Sequence, residues 1–90
     1  MKLLKRYWFH FEKFANPTPL NLGCGVTANN YDDARDLLRE RVFAGKELPN
    51  IVGCTEDVDV SSLDHKHVLP NIGRVTVRGI WFPQGYQEGD

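Results

Sequence analysis

The sequence predicts an α+β domain: a two-layer sandwich in ββαββ order, with one helix on one face of a four-stranded antiparallel sheet. Three observations predict it. Residues 30–45 alone carry both the spacing and the end signals of a helix. Alternating, aromatic-rich segments flank that helix on both sides. The chain has 90 residues, the size of one domain, and we place its limits at residues 1–83 with a flexible tail over 84–90.

Residues 3–14 read as the first strand. Tyr7, Phe9 and Phe11 point one way, and Arg6, Trp8, His10 and Glu12 the other. Both faces carry a large ring, so the second face also asks for some cover. Asn16, Pro17 and Pro19 make a turn, because proline removes a donor and restricts the residue before it. Residues 20–28 alternate again, with Leu22, Cys24, Val26 and Ala28 on one face. Gly23 and Gly25 weaken this strand and point to a bulge or a close approach of another group. The two segments are near enough to form a hairpin.

The helix follows at once. Asn30 is a good N-cap, Asp33 stands three residues on, and Gly45 closes the segment. Ala34, Leu37, Leu38 and Val42 form its apolar stripe. Residues 51–60 read as the third strand, with Val52, Cys54, Val58 and Val60 on one face and Glu56 marking a bulge or an early end. Residues 61–73 are a long connection in which Ser61 and Asp64 cap a short turn, and Val68, Leu69 and Ile72 tack the loop to the core. Residues 74–82 are the last strand. Apolar side chains on both of its faces place it centrally in the sheet, and Pro83 stops it.

Composition excludes several classes. At 41% hydrophobic and 26% charged the chain is a globule rather than a disordered tail. A net charge of −1 removes any general pull toward nucleic acid or an anionic membrane. No apolar run approaches the roughly 20 residues that cross a bilayer. The start of the chain has basic residues but no apolar signal region, so the expected location is the cytoplasm of a microbe.

Candidate chemistries are sparse. The run Gly23-Cys24-Gly25-Val26-Thr27-Ala28 matches a dinucleotide fingerprint, but the helix starts too late to meet a pyrophosphate. His65 and His67, beside Asp64, lack further metal ligands at workable spacing. Cys24 and Cys54 both fall on predicted core faces, and His10 is the nearest imidazole for a Cys–His pair. Asp32, Asp33 and Asp36 suit the start of a helix, and Glu56, Asp57 and Asp59 suit a charged edge strand. No cofactor, metal or catalytic residue is expected from these signals.

What remains is aromatic. Trp8, His10, Trp81 and Tyr86, interleaved with Arg6 and Arg78, form the candidate interaction surface. One helix shields one sheet face, which leaves rings on the other, and exposed apolar patches mark partners. A non-catalytic protein-interaction module is the reading, homodimeric through the aromatic face or an edge strand. Stacking rings among cations also bind single strands of nucleic acid, but the near-zero net charge favours a protein.

Residues 22–38, Val58-Asp59-Val60-Ser61-Ser62-Leu63-Asp64, His67-Val68-Leu69-Pro70-Asn71 and Arg78-Gly79-Ile80-Trp81-Phe82-Pro83 together resemble a family of small uncharacterised bacterial proteins. That resemblance covers nearly the whole chain and implies no functional residues. More loosely, a hairpin followed by a helix that opens Asp32-Asp33-Ala34 is similar to small antitoxin domains of the HicB type. Such domains continue into a DNA-binding segment, and none is visible here. An antitoxin-like or immunity-like regulatory role is what that second resemblance implies.

Overall fold

The computed structural model describes residues 4–15, 18–44 and 48–83. Four strands, β1 (Lys5–Phe11), β2 (Cys24–Ala28), β3 (Ile51–Glu56) and β4 (Gly79–Phe82), form one antiparallel sheet in the order β3-β1-β2-β4. One helix packs on it, so the fold is α+β. β1 and β2 pair as the expected hairpin, from Lys5 opposite Ala28 to Phe9 opposite Cys24.

Helix α1 (Tyr31–Leu37) starts where its cap chemistry dictates. The Asn30 backbone is extended, and its Oδ1 accepts from the Asp33 N–H at 2.8 Å. Asp33 reaches back and accepts from the Asn29 N–H at 2.9 Å. The Asn30 bond satisfies one orphan donor of the helix, a device worth about 1 kcal/mol, and the Asp33 carboxylate ties down the residue before the cap. Leu38–Val42 continues the helix as a wider π turn, and Ala44 closes it in the left-handed region at φ 51°. The expected closing residue, Gly45, lies outside the described residues.

The predicted stripe is the packing face. Ala34, Leu37 and Leu38 are buried, and Val42 packs partly on the same cluster. They meet Tyr7, Phe9 and Phe11 of β1, Cys24, Val26 and Ala28 of β2, and Ile80 of β4.

The opposite face is covered too. Residues 57–78, with only short 3-10 turns at Val60–Ser62 and Leu69–Asn71, run across it as a strap. Val58 and Val68 are buried there with Trp8, Trp81 and Phe82, and Val60, Leu63, Ile72 and Val75 pack partly against them. Backbone bonds tie the strap down: Val58 N–H to Arg6 O at 3.1 Å and Gly73 N–H to Trp81 O at 2.7 Å. Thr27 Oγ1 donates to Val75 O at 2.5 Å. The expected tacking of residues 61–73 onto the core is therefore present, on a larger scale.

Several expectations need correction. β2 is shorter than predicted, and Leu22 is exposed because the chain turns through Pro19–Asn21 before the strand begins. β3 ends at Glu56, because Asp57 takes a left-handed conformation at φ 54°. Val52 is 68% exposed rather than core-facing, because it is the extra residue of a bulge opposite the His10–Phe11 step. β4 is an edge strand, not a central one. It is apolar on both sides because helix and strap each cover one. A second bulge, between the Gly25–Phe82 and Val26–Ile80 pairs, makes Trp81 the extra residue. Trp81 and Phe82 consequently share the strap-side core, where strict alternation would have separated them. The predicted turn at residues 16–19 lies partly, and the tail 84–90 wholly, outside the described residues.

Candidate interaction surface

Of the six residues read as one surface, the five that the structure describes do not form one. Trp8 is 4% exposed and Trp81 0%. Their rings stack at 5.8 Å between centroids, and Phe82 lies 5.5 Å from Trp8. The floor beneath them is glycine. A Cβ at Gly23 would stand 2.5 Å from Trp8 Cζ2, and one at Gly25 would overlap the benzo ring of Trp81. The dinucleotide-like spacing therefore serves ring packing: glycines at 23 and 25 admit two indoles against the backbone. The open aromatic face is corrected accordingly, since the strap supplies the missing layer.

The other members are scattered. His10 is exposed and meets Trp8 edge-on at 6.1 Å. Arg6 is half-buried on the strap face. Arg78 is committed elsewhere: its Nε and Nη2 hold Asp33 at 2.9 and 2.5 Å, clamping the strap's end to the first turn of α1. That guanidinium is the main reason the Asp33 carboxyl sits well below the usual carboxylate range. Tyr86 lies outside the described residues. A stacking platform with free cations, which the nucleic-acid reading needs, is absent among the described residues.

The sulfur and imidazole groups also separate. Cys24 is buried as expected, and burial pushes its thiol far above the ordinary value. Cys54 is exposed, contrary to the expected core position, because β3 lies at the margin of the sheet. Its thiol is raised by partial burial and then by Glu56, so it stays protonated at neutral pH and is a poor nucleophile. Cys54 pairs with Phe9 on the helix side, whereas His10 alternates to the strap side, so no Cys–His pair forms. His65 Nε2 lies 2.9 Å from Ser61 O, and His67 Nδ1 lies 3.1 Å from Asp64 Oδ2. Among the described residues no three His, Cys, Asp or Glu side chains group to hold a metal. No helix among them is long and apolar enough to cross a membrane.

Asp59 and Asp64 organise the strap. Asp59 accepts from Ser61 Oγ and N–H, and Asp64 from the Lys66 and His67 N–H groups and from the His67 ring. Hydrogen bonding to Ser61 lowers the Asp59 carboxyl, and the Lys66 N–H leads in lowering Asp64.

The remaining surface feature is the difference between the two sheet edges. β4 has four residues, carries the bulge, ends at Pro83 and already accepts the strap's Gly73 N–H. β3 has six residues, no Lys, Arg or Pro, and one charge, Glu56. Lys5 Nζ neutralises that charge at 2.6 Å. Arg6 accepts from Val58 N–H and Glu12 donates to Asn50 O, so the even-numbered residues of β1 face β3. Their partners Thr55, opposite Trp8, and Gly53, opposite His10, are turned inward. Cys54 and Glu56 then direct their N–H and C=O groups outward. The residues that make this edge escaped the sequence reading, except that an edge strand was proposed for the acidic run at 56–59.

No protein-family model matches the chain, and no curated protein or solved structure matches it.

Proposed function

We propose that this chain is a non-catalytic interaction module that works by strand addition at the outer edge of β3. The aromatic face is no longer a candidate, because the strap fills it. The observation that supports the edge is its lack of protection among the described residues: natural sheets blunt exposed edges with Lys, Pro, short length or a covering loop. β4 has the short length, the bulge and the strap contact, while β3 offers outward backbone groups, an exposed Val52 and a neutral surface. An edge of this kind recognises an extended backbone, with main-chain hydrogen bonds supplying the affinity.

The test is a titration with a neutral strand-forming peptide of alternating Thr and Val, unlike β3 in sequence, followed by amide NMR. The Cys54 and Glu56 N–H signals shift and become protected from exchange, while Gly53 and Thr55, already bonded inward, change little. Unmoved signals at saturating peptide overturn the reading.

A further inference from the structure

We infer that the strand taken up at this edge is β3 of a second copy, paired antiparallel about Cys54. This rests on the edge reading above and adds the partner and the register. Three features select a second copy. The outward groups require an extended strand, not a helix or a small ligand. The edge is electrically neutral, because Lys5 holds Glu56, so it neither steers a charged peptide nor repels itself. A neutral strand with two outward-facing residues and an exposed β-branched side chain is what β3 itself presents. Such pairing is isologous and closes after two copies.

The register follows from the same groups. Cys54 faces outward, so a two-fold axis beside it lets each Cys54 N–H meet the other copy's Cys54 C=O. Glu56 then lies across from Val52, and the two Glu56 carboxylates stand far apart. An axis at Thr55 would place each Glu56 opposite Cys54 and bring the two carboxylates within diagonal reach, which is unfavourable. Pairing about Cys54 yields one continuous sheet, β4-β2-β1-β3-β3-β1-β2-β4, with both helices on one face and both straps on the other. It also sets the two Cys54 thiols side by side, at the backbone separation that a disulfide accepts.

Sedimentation of the full chain from about 1 μM to about 1 mM, the range in which a weak dimer populates, tests the partner. Diamide, a thiol oxidant that takes two electrons and two protons from a thiol pair, tests the register under alkaline conditions, where the raised Cys54 thiol ionises. The expected results are a dimer that diamide locks covalently in the wild type and not in Cys54→Ser, although Cys54→Ser still dimerises. Val52→Glu, which faces a carboxylate to Glu56, weakens the dimer about tenfold, and Val52→Lys weakens it less. Circular dichroism confirms that all three exposed-site variants are folded. A monomer at every concentration overturns the second copy as partner, and the peptide titration then judges the edge on its own. A dimer that diamide does not lock, or that Val52→Glu leaves intact, overturns the register.

Discussion

Both faces of the sheet are buried, but they are covered in different ways. The helix face is closed by α1 and its π turn, a regular element whose stripe meets the odd-numbered rings of β1. The strap face is closed by 22 residues with almost no regular structure, counting 57 to 78, which contribute Val58 and Val68 as buried anchors. A helix satisfies its own backbone and presents side chains at a fixed pitch. A strap must find a partner for each polar group it brings down, which is why Asp59, Asp64, Thr27 and the Trp81 carbonyl all engage it. Both indoles, Trp8 and Trp81, lie on the strap side.

The largest expected effect is on that side. Trp81→Ala removes a fully buried indole and its stack with Trp8, at a cost of about 3–5 kcal/mol. Against a typical total of about 5–15 kcal/mol, that leaves the variant near the limit of folding in a urea titration. If the loss is as small as that of an exposed residue, the strap face is not a core and the comparison fails.

Gly25→Ala loads the strap side alone. Its new methyl group overlaps the Trp81 ring while sitting on the same strand as the helix-side Cys24 and Val26. Overpacking of this kind costs about 1–3 kcal/mol. Hydrogen exchange then shows the strap amides of Val58, Val68 and Gly73 losing protection before those of Leu37 and Leu38. Simultaneous loss in both layers would show that the two cores open as one unit.

The smallest effect links the layers. Asp33 belongs to the helix cap and Arg78 to the strap's end, and their ion pair is half open to solvent, which limits its worth to about 1 kcal/mol. The folded Asp33 carboxyl is depressed below its unfolded value, so its contribution is present above the unfolded carboxylate range and is lost as pH falls through the folded one. Asp59 and Asp64 act with the same sign. Stability therefore declines from pH 5 toward pH 2, and Asp33→Asn reduces that decline while lowering stability at pH 7. An unchanged slope in urea midpoints against pH would remove Asp33 from the account.

Much of the helix side was legible in the chain. The odd-numbered aromatics of β1, the cap at Asn30, the stripe from Ala34 to Val42 and the hairpin all follow from periodicity and end chemistry. The strap side was half legible. A strand with rings on both faces demanded a second cover, and Val68 and Ile72 were read as anchors, yet the cover was sought in another molecule. Edge positions were misjudged at β4, where apolar residues on both sides passed for a central strand. Cys54 was misplaced because alternation locates a side chain on a face without saying how far that face extends beneath the helix. One-residue bulges at Val52 and Trp81 shift the alternation; Gly25 hints at the second, but neither strand's own pattern shows which residue is extra.

Local pattern is enough for what depends on neighbours within a few positions: the pleat of β1, the Asn30 cap of α1 and the glycines that leave room at 23 and 25. Distant pairs come from the folded chain as a whole: Asp33 with Arg78, Trp8 with Trp81, the strap over the sheet and, among the described residues, the open margin at β3. The physical reason is range. Steric and hydrogen-bond preferences act along a single turn or strand, whereas burial depends on which remote segment the chain folds back to cover, and that is decided by the whole core at once.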